Sequence, residues 1–205
     1  GVCMRDNSLA RCLIDAGHEV TMLPTYLPHF LDEEPASADQ PIFFGGINVY
    51  LQHKFSLFRH TPEWIDRAFN AKWLLRKAAA RSGMTSSKDL GEITLSTFKG
   101  ENGPLVKEVQ KVVDWFREHE KPDVVFLSTI LLAALGCVVK RELNIPVYGF
   151  LQGEDSFLDT LLDEYRAEAM DLLSADVARL DGCIAPSRYF GAEMAKRFNL
   201  PEENV

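Results

Sequence analysis

The stretch that decides the fold is residues 122–155, PDVVFLSTILLAALGCVVKRELNIPVYGFLQGED. Two short apolar runs, VVFL and VYGFL, flank a longer apolar segment at residues 130–143. Short, β-branched and aromatic runs are typical of strands buried on both faces of a parallel sheet, and the longer segment has the length of a helix. The stretch therefore predicts a strand, a helix and a second strand parallel to the first.

The same alternation extends over the rest of the chain. The sequence predicts helices over residues 5–16, 64–80, 89–98, 104–120, 130–143, 156–180 and 187–198, and strands over residues 18–23, 47–51, 122–128, 146–151 and 183–185. One face of the first helix carries Leu9, Cys12, Leu13 and Ala16, which we expect in the core, and Gly17 is placed to end that helix. The helix over residues 104–120 carries one apolar stripe of Leu105, Val109, Val112 and Phe116. The fold class is α/β: a Rossmann-like, doubly wound parallel sheet in one domain over residues 1–205.

Composition narrows the class of function. The 205 residues carry a net charge of -8, from 30 acidic and 22 basic side chains, which disfavours a nucleic-acid partner. The four cysteines lack C-x-x-C spacing and the histidines lack H-E-x-x-H spacing, so we expect no metal. We expect the cysteines to be buried free thiols in a reducing, cytoplasmic location. The longest apolar run, residues 124–139, is shorter than the ~20 residues of a membrane span.

Polar residues follow each predicted strand of the second half. Ligands of parallel sheets bind at the carboxyl ends of the strands, which makes these positions the candidate substrate-binding residues. They are Ser128, Thr129, Gln152, Gly153, Ser187 and Arg188, with Glu154 and Asp155 as candidate catalytic carboxylates. Gly153 lets the backbone turn sharply, and we expect Glu154 and Asp155 to emerge at the mouth of the cleft, where a carboxylate could accept a proton from an attacking hydroxyl.

Each of these positions also has a purely structural interpretation. Glu154 and Asp155 are acidic residues of the kind that begin a helix, and Ser187 is a good N-cap residue. Ser128 and Thr129 either line the cleft or cap the helix that follows them. The sequence does not separate these alternatives for Ser128 and Thr129.

Four segments resemble retaining family 4 glycosyltransferases of the GT-B architecture. They are SLARCLIDAGHEVTML (8–23), KPDVVFLS (121–128), NIPVYGFLQGED (144–155) and DGCIAPSRYFGAEMAKRFNLPEENV (181–205). The resemblance covers nearly the whole chain and implies the N-terminal, acceptor-binding half of such an enzyme. We therefore expect the first strand and a C-terminal donor-binding domain to be missing from this sequence.

The resemblance also implies an activity. A sugar would move from a nucleotide-diphosphate-sugar donor to a hydroxyl of a small-molecule or glycan acceptor. The partner would be the chain's own C-terminal domain, and this half would hold no cofactor and be inactive alone. The turn at Gly1 and Val2 would approach the donor diphosphate. Many family members carry histidine where this chain has Gln152, which cannot act as a base, so proton acceptance would fall to Glu154 or Asp155.

Two other classes of function remain open. The chain could be a non-catalytic, flavodoxin-like binding or interaction module, which also needs no nucleophile or metal. It could equally be half of a GT-B sugar epimerase, which would be expected to show strong acidic and basic groups in this half. An aromatic helix face over residues 64–80 could touch a membrane surface, although the charge pattern does not support such contact.

Overall fold

The computed structural model describes residues 2–25, 36, 41, 43–44, 49, 52, 87–201 and 204–205. The chain divides into two compact units. The N-terminal unit comprises Gly1–Leu51 and Thr61–Ser82, and the C-terminal unit comprises Gln52–His60 and Gly83–Val205.

The N-terminal unit begins with helix α1, Val2–Asp15. Gly17 ends this region in the left-handed conformation (φ 92°), a φ that favours glycine, which confirms its predicted capping role. The predicted core face was wrong, because Leu9 and Cys12 are exposed while Asn7 and Ala10 are buried. The Asn7 side chain accepts a hydrogen bond from the backbone N–H of Ala36 (2.7 Å), so a polar contact holds this side of the helix.

The strands predicted in this unit are not formed where the structure describes them. Residues 18–23 belong to no strand, and in the described residues of this unit the only pairing is a single parallel bridge between Thr25 and Phe43. An extended segment becomes a strand only when a neighbour supplies a ladder of hydrogen bonds. Val49 is helical, so the strand at residues 47–51 is wrong at its described position. The rest of that segment, and the helix predicted at residues 64–80, lie outside the described residues.

The C-terminal unit alternates helices and strands as expected. Its helices are α2 (Ser87–Phe98), α3 (Val106–Glu118), α4 (Ala133–Leu143), α5 (Glu154–Asp159), α6 (Asp163–Val177) and α7 (Arg188–Phe198), and its strands are β1 (Val125–Leu127), β2 (Val147–Phe150) and β3 (Gly182–Ile184). The strands form one parallel sheet in the order β1-β2-β3, with Val125 opposite Val147 and Gly149 opposite Cys183. The fold is a mixed α/β structure with a small parallel sheet.

Local sequence signals account for the helix boundaries. The buried stripe on α3 and its preceding residue is the predicted one: Leu105, Val109, Val112 and Phe116. Each such side chain stabilises the fold by about 1.5–3 kcal/mol through burial. Helices α4 and α7 both end at an asparagine in the left-handed conformation, Asn144 (φ 50°) and Asn199 (φ 52°).

The long helix predicted over residues 156–180 is wrong, because two helices, α5 and α6, occupy that segment. The chain turns at residues 160–162, where Leu162 is extended and Leu161 is buried in the core. The Arg166 guanidinium donates to the carbonyl oxygens of Asp159 (3.0 Å) and Leu161 (2.8 Å). Those carbonyls therefore have partners although the helix does not continue past them.

The strands were also predicted to be buried on both faces, and this is wrong for one face. Gly136 of α4 lies so close to Leu127 and Val147 that an added Cβ would contact both, so α4 packs against one face of the sheet. On the sheet, Phe126 is 44% exposed and lies 5.9 Å from the ring of Tyr148 and 6.1 Å from that of Phe150. An apolar sequence alone does not distinguish a strand that is covered on both faces from one whose aromatic side chains lie together on a partly exposed face.

Candidate functional site

The candidate site lies at the carboxyl edge of the sheet. β1 leads into Ser128 and Thr129, β2 leads into residues 152–155, and β3 leads toward Ser187 and Arg188. Because the three strands are parallel and adjacent, their carboxyl ends share one edge. The structure therefore brings the loops after β1 and β2 together, as the sequence predicted.

Glu154 joins these two loops from the inside. Its side chain accepts a hydrogen bond from the Thr129 hydroxyl (Oγ1 to Oε1, 2.6 Å) and another from the backbone N–H of Gln152 (N to Oε2, 2.7 Å). The residue is only 3% exposed. The expectation that Glu154 emerges at the mouth of a cleft is therefore wrong, because both carboxylate oxygens find donors within the protein.

The third strand also lies near this carboxylate. Burial raises the pKa of the Cys183 thiol to about 11, and the negative charge of Glu154 adds to that shift. Since Cys183 is in β3, Thr129 follows β1 and Gln152 follows β2, Glu154 is close to all three strands.

Thr129 takes the capping role, which is one of the two roles that the sequence left open, and it also bonds Glu154. Its hydroxyl oxygen accepts a hydrogen bond from the backbone N–H of Leu131 (3.2 Å), which caps the 3-10 turn Ile130–Leu132, while the hydroxyl itself donates to Glu154. Beside it, the side-chain amide of Gln152 donates to the carbonyl oxygen of Ser128. Two side-chain hydrogen bonds thus link the loop after β1 to the loop after β2.

Gly153 and Asp155 lie on either side of Glu154 in the chain. Gly153 has φ 103° in the left-handed region, so the sharp turn predicted from this glycine is formed. Asp155 is half-buried, and among the described residues its carboxylate makes no hydrogen bond or ion pair. Of the two candidate carboxylates, Asp155 is the one with oxygens that remain available to a ligand.

Ser187 and Arg188 occupy the start of α7. The Ser187 hydroxyl oxygen accepts a hydrogen bond from the backbone N–H of Phe190 (3.2 Å), which is the N-cap that its sequence position indicated. Arg188 is exposed. Both residues line a groove of about 430 Å³ between the end of β3 and α7, where Cys183 forms part of the wall.

The remaining predicted site residues lie in the N-terminal unit. Gly1 is outside the described residues, and Val2 is the first residue of α1, so it begins a helix. Tyr189, beside Arg188, was not among the predicted site residues and is 78% exposed. The signal was its place in the first turn of α7, two residues after a serine N-cap, where apolar residues need not face the core.

Neither a metal centre nor a membrane span is found in the described part of the chain. No three side chains of His, Cys, Asp or Glu come together there as a metal site. Each helix there is too short or too polar to cross a bilayer.

Comparisons with protein-family models, with curated proteins and with solved structures find nothing that matches this chain. The observations that bear on function are therefore the chain's own residues and their arrangement at the carboxyl edge of the sheet.

Proposed function

We propose that this chain is the acceptor-binding, Rossmann-like half of a retaining GT-B glycosyltransferase that uses a nucleotide-sugar donor. The observation that carries the proposal is the shared carboxyl edge of β1 and β2, where hydroxyl, amide and carboxylate groups come together. Groups of this kind recognise sugar hydroxyls through hydrogen bonds in both directions. The segments that contribute them, residues 121–128 and 144–155, are two of those that resemble the glycosyltransferase family.

Within this proposal, Asp155 is the residue that meets the acceptor. Its carboxylate is half-buried and makes no hydrogen bond or ion pair among the described residues, so it can accept a hydrogen bond from an acceptor hydroxyl. Such a bond orients the hydroxyl and places a base within reach of its proton. Gln152, Ser128 and Gly153 would complete the binding surface, and Ser187 and Arg188 would bind at its far side.

The donor would bind elsewhere. The resemblance assigns the diphosphate-gripping basic residues, and the acidic residue that grips the donor sugar, to a second domain. In the transfer, the acceptor oxygen forms a bond to the anomeric carbon while the bond to the diphosphate breaks. The diphosphate leaves with the electron pair, and the hydroxyl proton passes to a base. This half alone would bind an acceptor without turning it over.

The first test is binding of a simple sugar. At 23.1 kDa the protein suits ¹H–¹⁵N correlation spectroscopy, with methyl α-D-glucopyranoside titrated to millimolar concentrations as the probe. We expect shift changes in the amides of residues 152–155 that saturate, and their loss in Asp155→Asn. Asp171→Asn is the matched control, because Asp171 is an exposed carboxylate of α6 that makes no hydrogen bond or ion pair among the described residues. Equal binding by wild type and Asp155→Asn would contradict the role of Asp155.

A second test distinguishes an enzyme half from a binding module. Sequencing the source reading frame beyond Val205 should find ~150–200 further residues of alternating strands and helices, the size of another domain. They should carry an Arg/Lys pair and a Glu-x7-Glu-like acidic motif. A stop codon within a few residues would refute the glycosyltransferase proposal and favour the binding module. Sugar transfer by the present chain alone would contradict the division of roles between the two halves.

A further inference from the structure

We propose that Glu154 is a positioning residue whose hydrogen bonds hold the turn at residues 151–153, between β2 and α5, in the conformation that presents Asp155. We call the two hydrogen bonds that Glu154 accepts, from the Thr129 hydroxyl and the Gln152 backbone N–H, the Glu154 clamp. The presentation of Asp155 to a ligand rests on the proposed function, whereas the clamp itself does not. Glu154 and Asp155, which the sequence could only treat as a pair, thereby have different roles.

The first reason is that the Glu154 side chain is buried and that both of its carboxylate oxygens accept hydrogen bonds. Glu154 is 3% exposed, and each of its oxygens already accepts a short hydrogen bond, at 2.6 Å from Thr129 and at 2.7 Å from the Gln152 backbone. A carboxylate in this state is poorly placed to reach a substrate hydroxyl. It is well placed to fix the distance between the loop after β1 and the loop after β2.

The chemistry of its partners is the second reason. Glu108, the other buried carboxylate among the described residues, forms an ion pair with Lys111 (2.8 Å). Glu154 forms no ion pair among those residues, and its two donors are neutral. A neutral glutamine could keep both contacts, because its carbonyl would accept from the Gln152 N–H and its amide would donate to the Thr129 hydroxyl oxygen. At residue 154, the ability to form these two hydrogen bonds therefore matters more than a negative charge.

The third reason is the local backbone. Gly153, between the bonded Gln152 N–H and Glu154, is in the left-handed conformation, which costs little for glycine, and residues 151–153 belong to no helix or strand. The backbone N–H of Gln152 donates to the side chain of Glu154, two residues later, and this bond closes the turn. The backbone fixes both sides of this turn, because the Leu151 N–H donates to the carbonyl oxygen of Ile184 (2.9 Å) and Asp155 lies in the first turn of α5. Between them, the bond from the Gln152 N–H to Glu154 holds the turn that sets how α5 and Asp155 follow β2.

The test is amide hydrogen exchange of the ligand-free chain, read at Gln152 and through residues 151–155. Glu154→Ala should speed exchange at Gln152 about tenfold or more, because one hydrogen bond and its closure are lost. Glu154→Gln should keep exchange within about threefold of wild type, which is the rescue by the conservative variant. Thr129→Val should raise exchange and Thr129→Ser should not, since serine keeps the hydroxyl. Amides of β2, such as Val147, serve as the reference for global stability.

The outcomes separate the clamp from the proposed function. Unchanged exchange at Gln152 in both Glu154→Ala and Thr129→Val would overturn the clamp, whatever the sugar titration shows. If Glu154→Ala does not fold, Thr129→Val against Thr129→Ser decides the question. If Glu154→Gln keeps the exchange protection but abolishes binding of methyl α-D-glucopyranoside, Glu154 contacts the ligand through its charge and the positioning role is wrong. Failure of the sugar to bind wild type, with the exchange pattern as expected, would count against the proposed function alone.

Discussion

Replacing Gly149 with alanine should destabilise the protein, because this glycine allows the turn that follows Thr129 to pack onto β2. An added Cβ would lie 2.8 Å from Cγ2 of Ile130 and 3.3 Å from Cδ1 of Leu180. Ile130 is completely buried, and its Cγ2 is attached directly to Cβ, so the methyl group moves away only through a backbone shift or a rotation about χ1, which β-branching and close packing oppose. The contact is too short to be absorbed without one of these changes.

The expected size follows from two opposing effects. Overpacking a well-packed core costs about 1–3 kcal/mol. Replacing glycine with alanine within a strand stabilises the folded state by about 0.5–1 kcal/mol, because the unfolded chain has less conformational entropy to lose. The net loss in free energy of unfolding should be about 1 kcal/mol, which lowers the melting temperature by about 2–4 °C for a chain of this length.

Urea denaturation followed by circular dichroism measures this difference, with the midpoint and the slope fitted separately. Gly182→Ala is the matched control: it is also a strand glycine, but its added Cβ would meet the half-buried ring of Tyr148 at 3.3 Å. That ring can shift by a few tenths of an ångström, so the control should be neutral or slightly stabilising. A Gly149→Ala protein as stable as Gly182→Ala would refute the close packing of Ile130 on β2.

Three further predictions concern other parts of the chain. Cys3 and Cys12 are exposed, whereas Cys137 and Cys183 are buried, and burial raises the pKa of each buried thiol to about 11. At pH 8 in the native state, a disulfide reagent should therefore label the two exposed thiols rapidly and leave the two buried thiols unlabelled until the protein unfolds. The Arg141 side chain, which donates to both oxygens of Glu101, lowers the pKa of that carboxyl, so its ionised form stabilises the folded protein above its ordinary pKa. Glu101→Gln should therefore be slightly less stable than wild type at pH 7, and in urea titrations at several pH values the difference should disappear as the pH falls through the lowered pKa; a difference that does not depend on pH would contradict this. Arg166→Ala should cost about 1 kcal/mol in urea denaturation and speed amide exchange near residues 160–162, while unchanged exchange there would show that the break between α5 and α6 does not depend on this side chain.

The parts of the fold that sequence predicted correctly are those fixed by local signals. Gly17 and Ser187 act as the caps their positions indicated, and the stripe of Val109, Val112 and Phe116 is buried. A cap or a helical stripe depends on residues within a turn or two of the chain, so its physical cause can be read from a short window.

The errors have a common cause in contacts between distant residues. The break at residues 160–162 depends on Leu161 reaching the core and on Arg166 bonding two carbonyl groups. The exposure of Phe126 depends on what covers each face of the sheet, which an apolar run does not record. Local propensity favours a continuous helix and a fully buried strand in these places, and tertiary structure overrides it.

The candidate site shows the same division. The polar residues after each strand could be chosen from the sequence, because parallel sheets place ligands at that edge. The different environments of Glu154 and Asp155 could not, because the first depends on a hydroxyl 25 positions earlier in the chain, on Thr129. Two adjacent acidic residues in a sequence do not indicate that one is buried with both carboxylate oxygens hydrogen-bonded while the other has carboxylate oxygens available to a ligand.

The parallel order of the sheet also has a consequence for folding kinetics. Val125 pairs with Val147, and Tyr148 pairs with Gly182, so each pairing must close a segment that contains at least one whole helix. Pairings between distant residues are slow to form, since the entropy of the intervening loop is lost before the contacts are gained. The hydrogen bond between Thr129 and Glu154 can only follow the docking of β1 on β2. The carboxyl edge of the sheet should therefore be among the last parts of this unit to appear during refolding.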